Sequence, residues 1–387
     1  MDQGGRYAFA EAAHNLRKLS GLEISAQHVM RLTERLGGEW AAQRDADVTA
    51  WQFSRLSRTY AERPAAVAVM LDGGRVQTRQ EPSGPGVHRP EWKEPKCACL
   101  LTLKTTPSAK DPQPDPPPKF LDRHQVPLLV QQMQHVRGGT RGKDVPAPPD
   151  APRSRRRRKR VSRYVLRTVI ATMAAVGVFG PQVAAEVYRR GFDLALRKGC
   201  VCDGGAANWT VYEEHLKPLG FVAILDFLHL LGYLYGAAYA AGGGVEKRWN
   251  RYVQWMTWAW RGERNALLLA LNAAVQQAGP APKNAAESDP RKVLERARTY
   301  VINNSDKMDY PRYRRLGLPV SSAPVESSIK QLNRRIKGTE KFWRVSALEN
   351  LLQVTTALLS QDGRWDRLWN QPRPHRVART NSLGFAA

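Results

Sequence analysis

The chain has 387 residues, 42% of them hydrophobic, which allows two or three domains around a substantial core and excludes a mainly disordered protein. It carries 60 Lys and Arg against 35 Asp and Glu, a formal charge of +25. Such an excess points to a polyanionic partner, nucleic acid ahead of an acidic membrane surface. The apolar stretches 165–185 and 221–244 contain Arg167, Pro181, Asp226 and His229, so neither is expected to span a membrane. With no apolar leader after the polar first five residues, a cytoplasmic protein is expected.

Residues 1–55 read as a small helical module. Ala12, Leu16 and Leu19 recur at helical spacing, a turn containing Gly21 follows, and a second helix starts at Ser25 and stops at Gly37–Gly38. Val29, Leu32 and Leu36 form its apolar stripe, with Gln27, His28, Arg31 and Glu34 facing outward. This suggests a helix-turn-helix with 25–36 as the DNA-reading helix, Gln27, His28 and Arg31 being its contact residues. A hairpin that only packs is the alternative.

Residues 65–71, AAVAVML, form a Val-rich run short enough for a buried strand, ending in Asp72-Gly73-Gly74. Val76 and Thr78 open a second strand, and 96–104, KCACLLTLK, is another, so residues 60–104 form the first part of a sheet. Composition then shifts over 105–160, where proline-rich stretches and the run SRRRRKR at 154–160 read as an insertion or linker around a short helix at 121–136. The arginines are suited to gripping phosphates without reading bases.

Residues 161–244 read as the second part of the sheet domain: a helical stretch 165–196 broken at Gly180–Pro181, a strand 199–202 ending at Asp203-Gly204-Gly205, a helix 209–216, a strand 221–225 ending at Asp226, and a helix 228–241. This alternation predicts a mixed or parallel α/β sheet. Residues 245–310 are helical, with Trp255, Trp258 and Trp260 read as core. The cysteines form two pairs, Cys97-x-Cys99 and Cys200-x-Cys202. Small buried residues on neighbouring strands are expected, and a zinc site, usually more widely spaced, is the alternative.

Residues 311–387 contain one more helix with a clear pattern. Ser321 or Ser322 caps it, Pro324 lies in its first turn, Val325, Ile329, Leu332 and Ile336 form the buried stripe, and Gly338 ends it. Beside that stripe run Glu326, Lys330, Asn333, Arg334 and Lys337. A salt-bridged surface helix would look similar. The functional reading is a metal-binding Glu326 with DNA-gripping residues Lys330, Asn333, Arg334, Arg335 and Lys337 below it.

Asp72, Asp203 and Glu326, from two strand ends and one helix, suit a two-metal site holding Mg²⁺ or Mn²⁺. Two such ions activate an attacking hydroxyl and stabilise a leaving 3′ oxygen, with no covalent nucleophile from the protein.

Several segments together resemble the ISKra-type group of bacterial insertion-sequence transposases, relatives of the Mutator-like DDE enzymes. They are LDGGRVQTR at 71–79, WKEPK at 92–96, VCDGGAANW at 201–209, ILDFLHLLGYL at 224–234, LPVSSAPVESSIKQLNRRIKGTEKFW at 318–343 and ALENLLQVTTALLSQDGRWDRLW at 347–369. The resemblance implies an RNase H-like mixed sheet with a helical insertion before the last acidic residue, beside the small N-terminal helix-turn-helix-like module. It makes Asp72, Asp203 and Glu326 the three catalytic acids and metal ligands, with Asp226 the competitor for the second position. Asp226 and His229 match an Asp-x-x-His element expected to support the site. The implied activity is DNA transposition at terminal inverted repeats by a homo-oligomer assembled on DNA. A nuclease or resolvase without strand transfer, and an inactive DNA-binding derivative, are the alternatives.

Overall fold

The computed structural model of the chain describes residues 1–59, 63–79, 91–136, 164–338 and 341–370. The arginine run at 154–160 and the end of the chain beyond 370 lie outside the described residues.

The apolar run at 66–71 is fully buried and forms the first six residues of strand β1 (Ala66–Gly73). A strand so uniformly apolar is stable only with both faces covered. β2 (Val76–Thr78) and β3 (Glu91–Lys93) form a separate small ribbon. β4 (Lys96–Leu103), β5 (Tyr164–Thr172), β6 (Arg197–Cys202) and β7 (Val222–Leu225) join β1 in a five-stranded mixed sheet of order β5-β4-β1-β6-β7. β4 is antiparallel to both β1 and β5, whereas β6 runs parallel to β1 and β7 parallel to β6. Ala66, Ala68 and Met70 belong to one apolar face with Cys97, Cys99 and Leu101, while Val67, Val69 and Leu71 belong to the other with Ala98 and Leu100.

The N-terminal helices are α1 (Asp2–Arg6), α2 (Phe9–Ser20) and α3 (Ala26–Gln52). α4 (Gln125–Val136) follows the proline-rich segment, and α5 (Val176–Arg189) and α6 (Ala206–Val211) contribute to the second apolar face. α7 (Phe227–Ala240), α8 (Val245–Arg261), α9 (Arg264–Ala278), α10 (Pro290–Asn304) and α11 (Tyr310–Arg315) build a helical region continuous with the first face. α12 (Ala323–Ile336) and α13 (Val345–Leu359) also pack on that face, and α14 (Arg364–Asn370) follows. No helix of the described residues is long and apolar enough to cross a membrane.

Several expectations are corrected. The second helix does not stop at Gly37–Gly38 but continues to Gln52. The glycine serves a helix crossing instead: a Cβ on Gly37 would stand 2.0 Å from the main-chain oxygen of Asn350 in α13. Of the α2 stripe, Ala12 is buried but Leu19 is 81% exposed. Residues 165–196 are not one broken helix, because the β-branched segment at 164–172 pairs with β4 before α5 begins. Pro181 lies inside α5 without ending it.

The cysteine pairs are buried free thiols, but their strands are not neighbours. β1 separates β4 from β6, and the two pairs belong to opposite faces, so no four-thiolate site can form. The proline-rich stretch at 105–119 is held rather than loose. Trp260 Nε1 donates to the oxygen of Gln113, Arg314 pairs with Asp111, and the N–H of Ser108 donates to the oxygen of Arg315. Trp255 and Trp260 are core residues and Trp258 packs against them.

Candidate metal centre

The parallel register aligns the strand ends. Leu71 of β1 pairs with Cys202 of β6, and Cys202 pairs with Leu225 of β7. The residues that follow are Asp72, Asp203 and Asp226, so three carboxylates leave three adjacent strands at one level. The N–H of Asp226 donates to the oxygen of Cys202 at 2.8 Å, extending that alignment by one bond. Even-numbered positions of β1 share the face on which α12 packs, which directs Asp72 toward the helix carrying Glu326.

Each acid is held differently. Asp72 is half-buried and its Oδ1 accepts the N–H of Gly73 at 2.7 Å. Asp203 Oδ1 accepts the N–H of Gly205 at 2.9 Å and Asn208 Nδ2 at 3.0 Å, a tight turn in which Gly204 adopts a φ of +89°. Tyr300 of α10 donates its hydroxyl to the main-chain oxygen of Asp203 at 2.8 Å.

Asp226 is fully buried and caps α7. Its Oδ1 accepts from the N–H of Leu228 at 3.2 Å and of Ser322 at 3.1 Å. Its Oδ2 accepts the N–H of His229 at 3.3 Å and lies 2.5 Å from His229 Nδ1. An ionised carboxylate can only accept, so in this pair Nδ1 is the donor.

Glu326 is buried in the first turn of α12, where the Ser322 hydroxyl donates to its Oε1 at 3.1 Å. It is held there because Val325, Ile329, Leu332 and Ile336 are all buried, each contributing about 2 kcal/mol of apolar burial.

One ligand atom from each of Asp226, His229 and Glu326 lies within 4.8 Å of the others. Asp72 interacts electrostatically with His229 and Glu326 of this group, and with Asp203 beside it. Burial, then the negative charge of Asp203, pushes the Asp72 carboxyl up to about 7, with a smaller upward push from Glu326 and opposition from Gly73 and His229. Burial and the charge of Asp226 also raise Glu326, while His229, Ser322 and Lys330 oppose them. Crowded carboxylates beside an imidazole have the chemistry that a divalent cation relieves. Among the described residues, Asp226, His229 and Glu326 share ligand distance, while Asp72 and Asp203 stand at the neighbouring strand ends.

The expected DNA-gripping residues divide. Lys330 and Arg334 are exposed on α12, Asn333 and Lys337 are half-buried, and burial followed by the charge of Arg75 lowers Lys337. Arg335 is not available to DNA. It is 3% exposed, its Nε and Nη2 both donate to the oxygen of Gly4 at 3.0 Å, and its guanidinium lies 4.5 Å from the Phe9 ring centre. It pins the N-terminal helices because its turn of α12 faces inward. Gln27, His28 and Arg31 are exposed in the first turns of α3.

Asn208, Tyr300 and the dual role of Ser322 escape sequence reading. Asn208 sits just five residues past Asp203, but Tyr300 reaches the same residue across 97 positions and has no local signal. No known family model and no curated protein sequence matches the chain.

Proposed function

We propose that the protein is a DNA transposase of the DDE type, cutting and joining strands at a carboxylate centre on an RNase H-like sheet. The observation that carries this reading is that Asp72, Asp203 and Asp226 follow paired positions on three adjacent parallel strands, with His229 and Glu326 within ligand distance of Asp226. The sheet order β5-β4-β1-β6-β7, with its antiparallel half and its parallel half, supports the RNase H-like reading. The helical region between Asp226 and Glu326 supports an insertion before the last acid, and the motif resemblance points the same way.

Asp72, Asp203 and Glu326 would hold two Mg²⁺ or Mn²⁺ ions, with Asp226 and His229 supporting them. When bound, these ions supply activation of a hydroxyl and stabilisation of the leaving 3′ oxygen. The protein's own contribution is orientation. Ser322 fixes Glu326, Asp226 fixes the His229 ring, and the Gly205 and Asn208 donors fix Asp203. Lys330 and Arg334 offer phosphate contacts beside the centre, and the +25 charge draws DNA to the chain in the cytoplasm. Assembly as a homo-oligomer on paired inverted repeats is part of the same reading.

The test uses pre-cut and uncut inverted-repeat ends with Mg²⁺. Asp72→Asn should abolish both cleavage and joining while leaving DNA binding intact. Cleavage retained by that variant would refute the assignment. Cleavage without joining by the parent protein would make it a nuclease.

A further inference from the structure

Beside the carboxylates opens a cleft of about 1100 Å³ between α6, α7, α9 and α10. It begins at Gly204, next to Asp203, and Tyr300 belongs to both places: it lines the cleft and bonds to the main chain of Asp203. Trp209 and Tyr233 supply aromatic surface, Tyr233 being stacked on Tyr300 with centroids 3.9 Å apart. The Trp209 Nε1 donates to Asn304 Oδ1 at 2.9 Å and the Tyr300 hydroxyl to Asp203, so both polar handles are already satisfied within the protein. The ring surface left for a ligand is that of half-buried Trp209 and Tyr233, because Tyr300 is itself buried against Tyr233.

The other wall is cationic. Arg291, Lys292, Arg296 and Arg298 line it, against Glu287 and Glu295. Lys292 and Arg296 both pair with Glu287, whose side chain is 78% exposed. Exposed pairs of this kind hold weakly, so phosphate oxygens can replace that carboxylate. Aromatic surface opposite cations is the combination that binds unpaired nucleotides with little sequence preference.

We infer that this cleft takes unpaired nucleotides of the DNA strand whose phosphate lies at the carboxylate centre. This rests on the proposed function for its substrate, while the binding itself needs no metal. Duplex DNA presents no free base face to the aromatic wall, so the cleft acts on frayed or already cut ends.

The experiment uses the full chain, without metal, and a short oligothymidylate bearing one 5-iodouracil. Irradiation should crosslink the base to Trp209 or Tyr233, mapped by mass spectrometry of the digest. The double substitution K292E and R296E should weaken oligothymidylate binding by about tenfold at low salt, with an unchanged melting temperature. Crosslinks confined to other segments, or unchanged affinity in the double variant, would overturn the inference. Strand cleavage by the parent protein with crosslinks elsewhere sinks the cleft but not the transposase reading. Crosslinks at Trp209 without any cleavage support the cleft and sink the enzyme.

Discussion

Asp72 and Asp203 stand side by side at the ends of two hydrogen-bonded parallel strands, because each directly follows one member of the Leu71–Cys202 pair. Two carboxylates so placed cannot both ionise cheaply. Burial and Asp203 together push Asp72 up to about 7, from an ordinary value of 3.8. The unfolded chain loses that proton near 3.8, whereas the folded chain keeps it until about 7. Folding therefore takes up a proton in that window, and the stabilisation present at low pH is lost as pH rises through it. In EDTA, Asp72 should lower the melting temperature progressively across that window and add no further slope above it. Asp72→Asn removes the charge, so the variant should melt higher than the parent at about pH 8. Calorimetry with and without the substitution checks this. A variant melting at or below the parent would contradict it.

The same proton competes with metal. Asp72 must be ionised to act as a ligand, so Mn²⁺ affinity should fall about tenfold for each unit of pH below about 7. Above that value this dependence should flatten. Titration calorimetry over a pH series, on protein without DNA, measures the slope directly.

Asp203 and Asp226 separate by what else each one holds. Asp203 accepts from a turn N–H and from Asn208, contacts that an amide oxygen can also accept. Asp203→Asn should therefore lose strand cleavage with little change in melting. Asp226 caps α7, receives the N–H of Ser322 and fixes His229. Asp226→Ala removes all three, and should cost about 1–3 kcal/mol of stability. Thermal melts beside a cleavage assay distinguish the two acids. A stable, cleavage-competent Asp203→Asn would hand the second catalytic position to Asp226.

The parts of the site that were legible in the sequence are those written locally. Asp72 and Asp203 each end an apolar run and precede two glycines, and Glu326 sits beside a helical stripe of four apolar residues. What joins them was not legible, because register is a property of strand pairing and not of either strand. The position of Asp226 level with the other two depends on the Cys202–Leu225 pair. Segment 165–172 reads as helical from sequence, since apolar content alone does not separate helix from strand, and its pairing with β4 makes it a strand. Glycine was ambiguous in the same way. At Gly21 it ends a helix with φ +68°, as its position suggests, whereas at Gly37 it admits a neighbouring backbone.

Lys330 and Arg335 lie five positions apart on α12 but should respond oppositely to truncation. Lys330 is exposed, so Lys330→Ala should leave melting within about 0.5 kcal/mol of the parent. It should weaken DNA binding across sequences and lower the salt slope by about one. Arg335 is buried, is lowered to about 10 by that burial, donates to the oxygen of Gly4 and lies over the rings of Phe9 and Trp343. Arg335→Ala should cost about 2–3 kcal/mol through lost hydrogen bonds and ring contacts. Melts and binding isotherms at several salt concentrations test both. A DNA-binding defect in Arg335→Ala without any loss of stability would return that residue to the DNA face.

Gly37 and Gly38 are adjacent in α3, and only the first meets an unyielding neighbour. Helix propensity alone favours alanine over glycine by about 1 kcal/mol at an interior position. At Gly38 the added Cβ would find Asn350 Nδ2 at 3.6 Å, ordinary contact with a side chain able to move. Gly38→Ala should therefore stabilise the protein by up to about 1 kcal/mol. At Gly37 the Cβ would stand 2.0 Å from the Asn350 oxygen and 2.8 Å from its Cα. Those are main-chain atoms of α13, so the two helices must part to admit the methyl group. Separating them opens packing along the crossing, a cost of about 1–3 kcal/mol that exceeds the propensity gain. Gly37→Ala should melt below the parent and Gly38→Ala above it. Equal shifts for the two would mean that α3 and α13 do not cross at this point.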